Sequence, residues 1–91
     1  MHKYTIEFSS RAARDILHHR KSGNLPLYRK LETLIEELKI HPRTGTGKPE
    51  QLKHGLSGKW SRRINDEHRL IYSINDEIVS IEVISAKGHY E

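Results

Sequence analysis

The spacing of hydrophobic and polar positions changes period twice along the chain. Residues 2–8 alternate, with Tyr4, Ile6 and Phe8 on one side and Lys3, Thr5 and Glu7 on the other, the pattern of a half-buried strand. Ser9 and Ser10 follow, and both are good helix N-caps. They predict a first helix from about Ser10 to His19, with Ala12, Ala13, Ile16 and Leu17 on its inner face and Ser22-Gly23-Asn24 breaking it. Pro26 suits the first turn of a second helix, where its missing N–H would have been unpaired anyway. Leu27, Leu31, Leu34, Ile35 and Leu38 then recur at helical spacing, Tyr28 extends the stripe, and Pro42 ends it. This stripe has the clearest period in the chain and reads as core packing against a sheet.

Alternation returns after a glycine-rich stretch. Lys59 to Ile64 sets Trp60, Arg62 and Ile64 against Ser61 and Arg63. Asn65-Asp66-Glu67 forms a turn. His68 to Ile74 then sets His68, Leu70, Tyr72 and Ile74 against Arg69, Ile71 and Ser73. Asn75-Asp76 has the composition of a two-residue hairpin turn. Glu77 to Ser85 sets Val79, Ile81 and Val83 against Ile78, Ser80, Glu82 and Ile84. A short extra strand fits Gln51 to His54. Strand, helix, helix and then a meander of three or four strands is an α+β order: an antiparallel sheet with both helices on one face, leaving the other face and the loops for function. No repeat or linker divides residues 1–91, which are expected to form one domain burying roughly two-thirds of its unfolded surface.

The chain has no cysteine, which removes disulfides and thiolate metal sites and fits a reducing cytoplasm. No apolar run approaches the roughly 18 residues of a membrane helix, and the start MHKYTIEFSS lacks a signal-peptide apolar region. The formal net charge of +4 suits nucleic acid or an acidic protein as partner, and also plain solubility. Its distribution is more telling. Between Thr46 and Arg63, five cations (Lys48, Lys53, Lys59, Arg62 and Arg63) face the single carboxylate Glu50, in a segment bent by Gly45, Gly47, Gly55, Gly58 and Pro49. This is a place to hold a polyanion. The histidines show no H-x-x-x-H pair with an acid at metal spacing, and Gly45-x-Gly47-Lys48 lacks the full phosphate-loop spacing. No metal or other cofactor is expected.

GKPE at 47–50, LKH at 52–54, the Leu56-Ser57-Gly58 turn, WSRRI at 60–64, EHRLIY at 67–72 and the terminal His89-Tyr90 together closely resemble the YoeB (Txe) toxins of the RelE/ParE superfamily. The resemblance implies a RelE-like fold and the toxin half of a bacterial toxin–antitoxin pair. It further implies ribosome-dependent cleavage of messenger RNA in the A site of the 70S ribosome, and an antitoxin of the YefM/Phd type. Self-association as a homodimer is compatible with the family but not visible in the sequence. The chain departs from the family pattern in having Gly88 before His89 where an aromatic is usual, in carrying Glu91 after Tyr90, and in a longer HHRKSGNLPLY stretch.

RNA carries its own nucleophile, the 2′-OH. Cutting it requires a base for that proton, a cation for charge growing on the phosphate, and an acid for the departing 5′-oxygen; no metal is needed in principle. On the residues alone Glu50 reads more readily as a surface carboxylate pairing with Lys48 or Lys53; the resemblance makes it the base. It likewise makes Arg69 the transition-state cation, a guanidinium fork matched to two phosphoryl oxygens, against an alternative in which Arg69 pairs with Asp66 or Glu67. His89 becomes the general acid, a role that the resemblance alone separates from His18 or His19. Tyr90 would stack on or orient a base. Lys48, Lys53, His54, Arg62 and Arg63 would contact RNA backbone without reading sequence. Arg62 and Arg63 point to opposite faces of one strand, and Arg63 is favoured as the one that reaches RNA. His68 reads as structural.

Two other functions remain open on the sequence: inhibition of DNA gyrase in the manner of the ParE branch, and non-catalytic nucleic-acid binding. Neither needs Glu50, His89 and Tyr90 as a set.

Overall fold

The computed structural model describes residues 3–88. Strand β1 (Thr5–Phe8) leads into helices α1 (Ser10–Lys21) and α2 (Leu25–Leu38), followed by β2 (Glu50–Gln51), a single 3-10 turn (His54–Leu56), β3 (Lys59–Arg63), β4 (Arg69–Asn75) and β5 (Ser80–Ser85). The sheet order is β1-β5-β4-β3-β2. Strands β2 to β5 form the expected antiparallel meander. β1 pairs with β5 in parallel, Ile6 beside Ile81 and Phe8 beside Val83, so the sheet is mixed rather than wholly antiparallel. The first four residues of regular structure are thereby held by the last six.

Both helices start on side-chain caps. Ser9 Oγ accepts from the Ala12 N–H at 3.0 Å and donates to the Ile84 carbonyl at 2.6 Å, which ties the start of α1 to β5. Asn24 Oδ1 accepts from the Leu27 N–H at 3.2 Å. The α2 stripe behaves as its period predicts: Leu27, Leu31, Leu34 and Leu38 are buried against Ile64, Leu70, Tyr72, Ile81 and Val83. The inner face of α1 is rotated from the expected one. Ala12, Asp15 and His19 are buried while Ala13 and Leu17 are exposed. The cause is polar: Asp15 and His19 bond both backbone groups of Ala86 at the end of β5. The last hairpin also differs from expectation. Asn75 Oδ1 accepts from the N–H groups of Glu77 and Ile78 at 3.0 and 3.3 Å, so residues 76–79 form the turn and β5 begins only at Ser80.

Arg62, proposed above as an RNA contact, is buried at 0% exposure on the helix-facing side of β3. Its donors are all placed. Nη1 meets the Glu37 carboxylate at 3.0 Å and the Thr46 carbonyl at 3.3 Å. Nη2 meets the carbonyls of Thr44, at 2.8 Å, and His41. Nε reaches the Tyr72 hydroxyl at 3.2 Å. Burial pushes the Tyr72 phenol up, against the opposing pull of Arg62, so it stays protonated and donates to the Pro42 carbonyl at 2.7 Å. The loop between α2 and β2 is therefore wound around one guanidinium. At its end, the Gly47 carbonyl accepts from the Arg63 N–H at 2.6 Å. Gly47 has φ +86°, and a Cβ there would stand 2.8 Å from the Arg63 carbonyl, so only glycine allows this approach.

Removing Arg62 takes the partner from a part-buried carboxylate and three loop carbonyls and leaves a void beneath the loop. Arg62→Ala is expected to cost about 3–5 kcal/mol, a large part of a small domain's stability, as measured by urea unfolding. Hydrogen bonds from Thr46, followed by those from Arg62, hold the Glu37 carboxyl below its ordinary value of 4.5. A lowered carboxylate contributes stability that is complete above that ordinary value and lost as pH falls through the lower, folded-state value. Melting temperature should thus fall on acidification below 4.5, and Glu37→Gln should flatten that part of the profile.

Candidate active site

Side chains alternate across a strand, so burying Arg62 on the helix side sends its neighbours to the open face. The register carries this across the sheet: Glu50 lies opposite Ser61, Ser61 opposite Ile71, and Arg63 opposite Arg69. Lys48, Glu50, Ser61, Arg63 and Arg69 line one recess of about 90 Å³. Three cations and one carboxylate from the loop, β2, β3 and β4 thus converge on a space about the size of a phosphate group.

Two features show strain at this recess. Arg63 and Arg69 are a directly opposed cross-strand pair of like charge, which destabilises a sheet. Arg69 forms no ion pair with Asp66 or Glu67 among the described residues; its Nη1 lies 3.4 Å from the Asn65 carbonyl instead. Lys48 adopts φ 51°, a left-handed conformation that costs a non-glycine residue roughly 1–2 kcal/mol. It is held there by Gly47 bonded to β3 on one side and Pro49 on the other. Strain that persists beside a charged recess is the usual mark of a site built for a ligand. An anion placed between the guanidiniums would relieve the repulsion, and Glu50 would stand at its edge as a proton acceptor.

The remaining sequence candidates fall in different places. Lys53 and His54 are exposed and border a second, shallower hollow of about 250 Å³ that shares Glu50 with the recess, so they flank the site rather than line it. Arg62 lies beneath it and organises the loop. His89 and Tyr90 lie outside the described residues. The chain leading to them is described: the Gly88 carbonyl accepts from the Arg69 N–H at 3.0 Å, and the Gly88 N–H donates to His68 Nδ1 at 2.9 Å. His68 is half-buried, and its ring accepts this backbone N–H. Ser61 was missed, although its alternation with Arg62 already placed it beside Arg63. Among the described residues, no three His, Asp or Glu side chains are grouped to hold a metal ion.

Comparison with known proteins gives a consistent result. Residues 8–90 match a family model described as the YoeB-like toxin of bacterial type II toxin–antitoxin systems. Toxin YoeB of Escherichia coli (strain K12) is 45% identical over 64 residues, covering 70% of this chain and 74% of that protein. The solved structure of a YoeB dimer from Staphylococcus aureus aligns with a TM-score of 0.83 at 36% identity, covering 97% of this chain and 99% of the other. A YoeB–YefM complex from the same organism aligns at 0.81 with 37% identity over the same shares.

The opposed arginines predict a trade between stability and binding. Arg63→Gln should stabilise the unliganded protein by about 0.2–1 kcal/mol in urea unfolding at low ionic strength. The gain should shrink as added salt screens the repulsion. A loss of stability instead would show that the pair is not strained.

Proposed function

Since this chain belongs to the YoeB-like toxins of bacterial type II toxin–antitoxin systems, we propose that it acts as a ribosome-dependent endoribonuclease that cuts messenger RNA in the A site. The observation that carries the reading is the recess itself, where one carboxylate, Glu50, shares a phosphate-sized space with Lys48, Arg63 and Arg69. Glu50 takes the proton of the 2′-OH, and the freed oxygen attacks the adjacent phosphorus. Arg69, assisted by Arg63 and Lys48, stabilises the charge that builds on the phosphoryl oxygens; such electrostatic stabilisation is usually the largest single contribution to the rate. His89 protonates the departing 5′-oxygen, and Tyr90 stacks on a neighbouring base. The upstream product carries a 2′,3′-cyclic phosphate, or a 3′-phosphate after hydrolysis. No metal enters this scheme. Lys53 and His54 extend the contact along the RNA backbone.

The partner proposed for this chain is an antitoxin of the YefM type, as in the Staphylococcus aureus YoeB–YefM complex, and self-association follows the dimer solved for that organism's YoeB. A partly disordered acidic segment that folds over the basic recess would block it. A ribosomal substrate implies action in the cytoplasm. Among the described residues no helix is long and apolar enough to cross a membrane.

The test uses purified protein, translating 70S ribosomes and a defined message. Cuts at the A-site codon with cyclic or 3′-phosphate ends are expected, and Glu50→Ala or Arg69→Ala should each slow cleavage by about 10²-fold or more. Lys53→Ala should weaken binding modestly and reduce the salt dependence of binding by about one counterion. Intact toxicity in cells without cleavage by the wild-type protein would reject the ribonuclease and bring gyrase inhibition forward.

A further inference from the structure

The last described residues lie beside Arg69, held by side chains from other elements. On α1, Asp15 and His19 are one turn apart. Asp15 Oδ2 accepts from the Ala86 N–H at 2.9 Å, and His19 Nε2 lies 2.7 Å from the Ala86 carbonyl. A carbonyl oxygen only accepts, so this nitrogen of His19 carries the hydrogen. Two residues on, Gly88 is held by both of its backbone groups: its N–H by His68 Nδ1 and its carbonyl by the Arg69 N–H. Between them, the Lys87 carbonyl faces Arg11 Nη2 at 3.4 Å. The His19 and His68 rings meet edge to face at 4.7 Å, which joins the two sets of bonds into one clasp. Gly88 supplies φ +78°, and the chain turns there without a side chain to strain it.

Nothing in core packing calls for this arrangement. It places two polar side chains on the buried face of α1 in order to grip a strand end, and it uses the backbone of a residue lining the recess, Arg69, as the last hold before residue 89. We infer that His68, backed by Asp15 and His19, is a positioning residue for RNA cleavage: it fixes Gly88, the residue that precedes His89 in the sequence, relative to Arg69. This rests on the ribonuclease reading above.

The clasp requires a neutral His68, because Nδ1 must accept; a proton there turns the acceptor into a second donor facing the Gly88 N–H. Burial is the main cause that lowers the His68 proton affinity, helped by His19, Lys87 and His18 and opposed by Glu67. A histidine lowered in the folded state contributes fully above its ordinary value of 6.5, and its contribution is lost as pH falls below that toward the folded value.

The experiment compares His68→Asn, whose amide oxygen can replace Nδ1 as an acceptor that does not titrate, with His68→Leu, which offers none. Without any substrate, and with His89→Gln in both proteins to remove the neighbouring imidazole, the Gly88 amide signal in NMR should move through one step below pH 6.5 when His68 is present and stay flat in His68→Asn. With programmed ribosomes, His68→Leu should lower kcat about tenfold with KM within about twofold, as expected when only the reacting geometry is disturbed. His68→Asn should keep kcat within about threefold. His19→Gln, which retains an N–H for Ala86, should likewise outperform His19→Leu. A Gly88 signal that ignores pH when His68 is present overturns the clasp. A normal step with full kcat in His68→Leu overturns the positioning role. A normal step in a protein that cuts no message leaves the bonds standing and rejects the ribonuclease reading, and the positioning role with it.

Discussion

A buried arginine sets the terms for the rest of this molecule. Taking a guanidinium out of water is costly unless its donors are met, and Arg62 meets a carboxylate, a phenol and three loop carbonyls. The chain between His41 and Gly47 has no regular structure of its own, so these bonds give it a shape. That shape delivers Gly47 against the backbone of Arg63, turns Lys48 into the recess and starts β2 at Glu50. The charged site on one face of the sheet is thus held in place from the other.

Neighbouring residues of β3 divide the work. Arg62 points into the core, where its charge is fully paired. Arg63 points out, directly across from Arg69, and forms no ion pair among the described residues. The first arrangement holds the loop; the second stores repulsion that an anion can discharge. The Lys48 backbone, in its left-handed conformation, adds to the same store. A recess of this kind is less stable empty than filled, which fits the phosphodiester ligand proposed above.

Helix α1 shows the same economy of polar groups. Its buried face carries Asp15 and His19 where a simpler helix would carry leucines, and both are spent on the backbone of Ala86. The outcome is that α1, the end of β5 and the start of β4 meet around residues 86–88, beside the recess.

Much of the architecture was legible in the sequence. The α2 stripe, a serine cap at Ser9 or Ser10, the order of elements and the alternation of Arg62 with Arg63 all follow from local spacing, because period and capping depend on residues a few places apart. The grouping of Glu50 with Arg69 was legible only through the family's motif, since nothing local brings residues 50 and 69 together. Tertiary structure decided the rest. It chose which of two adjacent arginines is buried, since alternation separates faces without saying which face is covered. It turned Asp15 and His19 inward, because their partner, Ala86, stands at the other end of the chain. It laid β1 parallel to β5, since pairing between the first and last strands depends on where the helices return the chain. Local periodicity determines which side chains travel together; only the closed fold determines what they meet, and for polar groups the partner decides whether burial is a cost or a foundation.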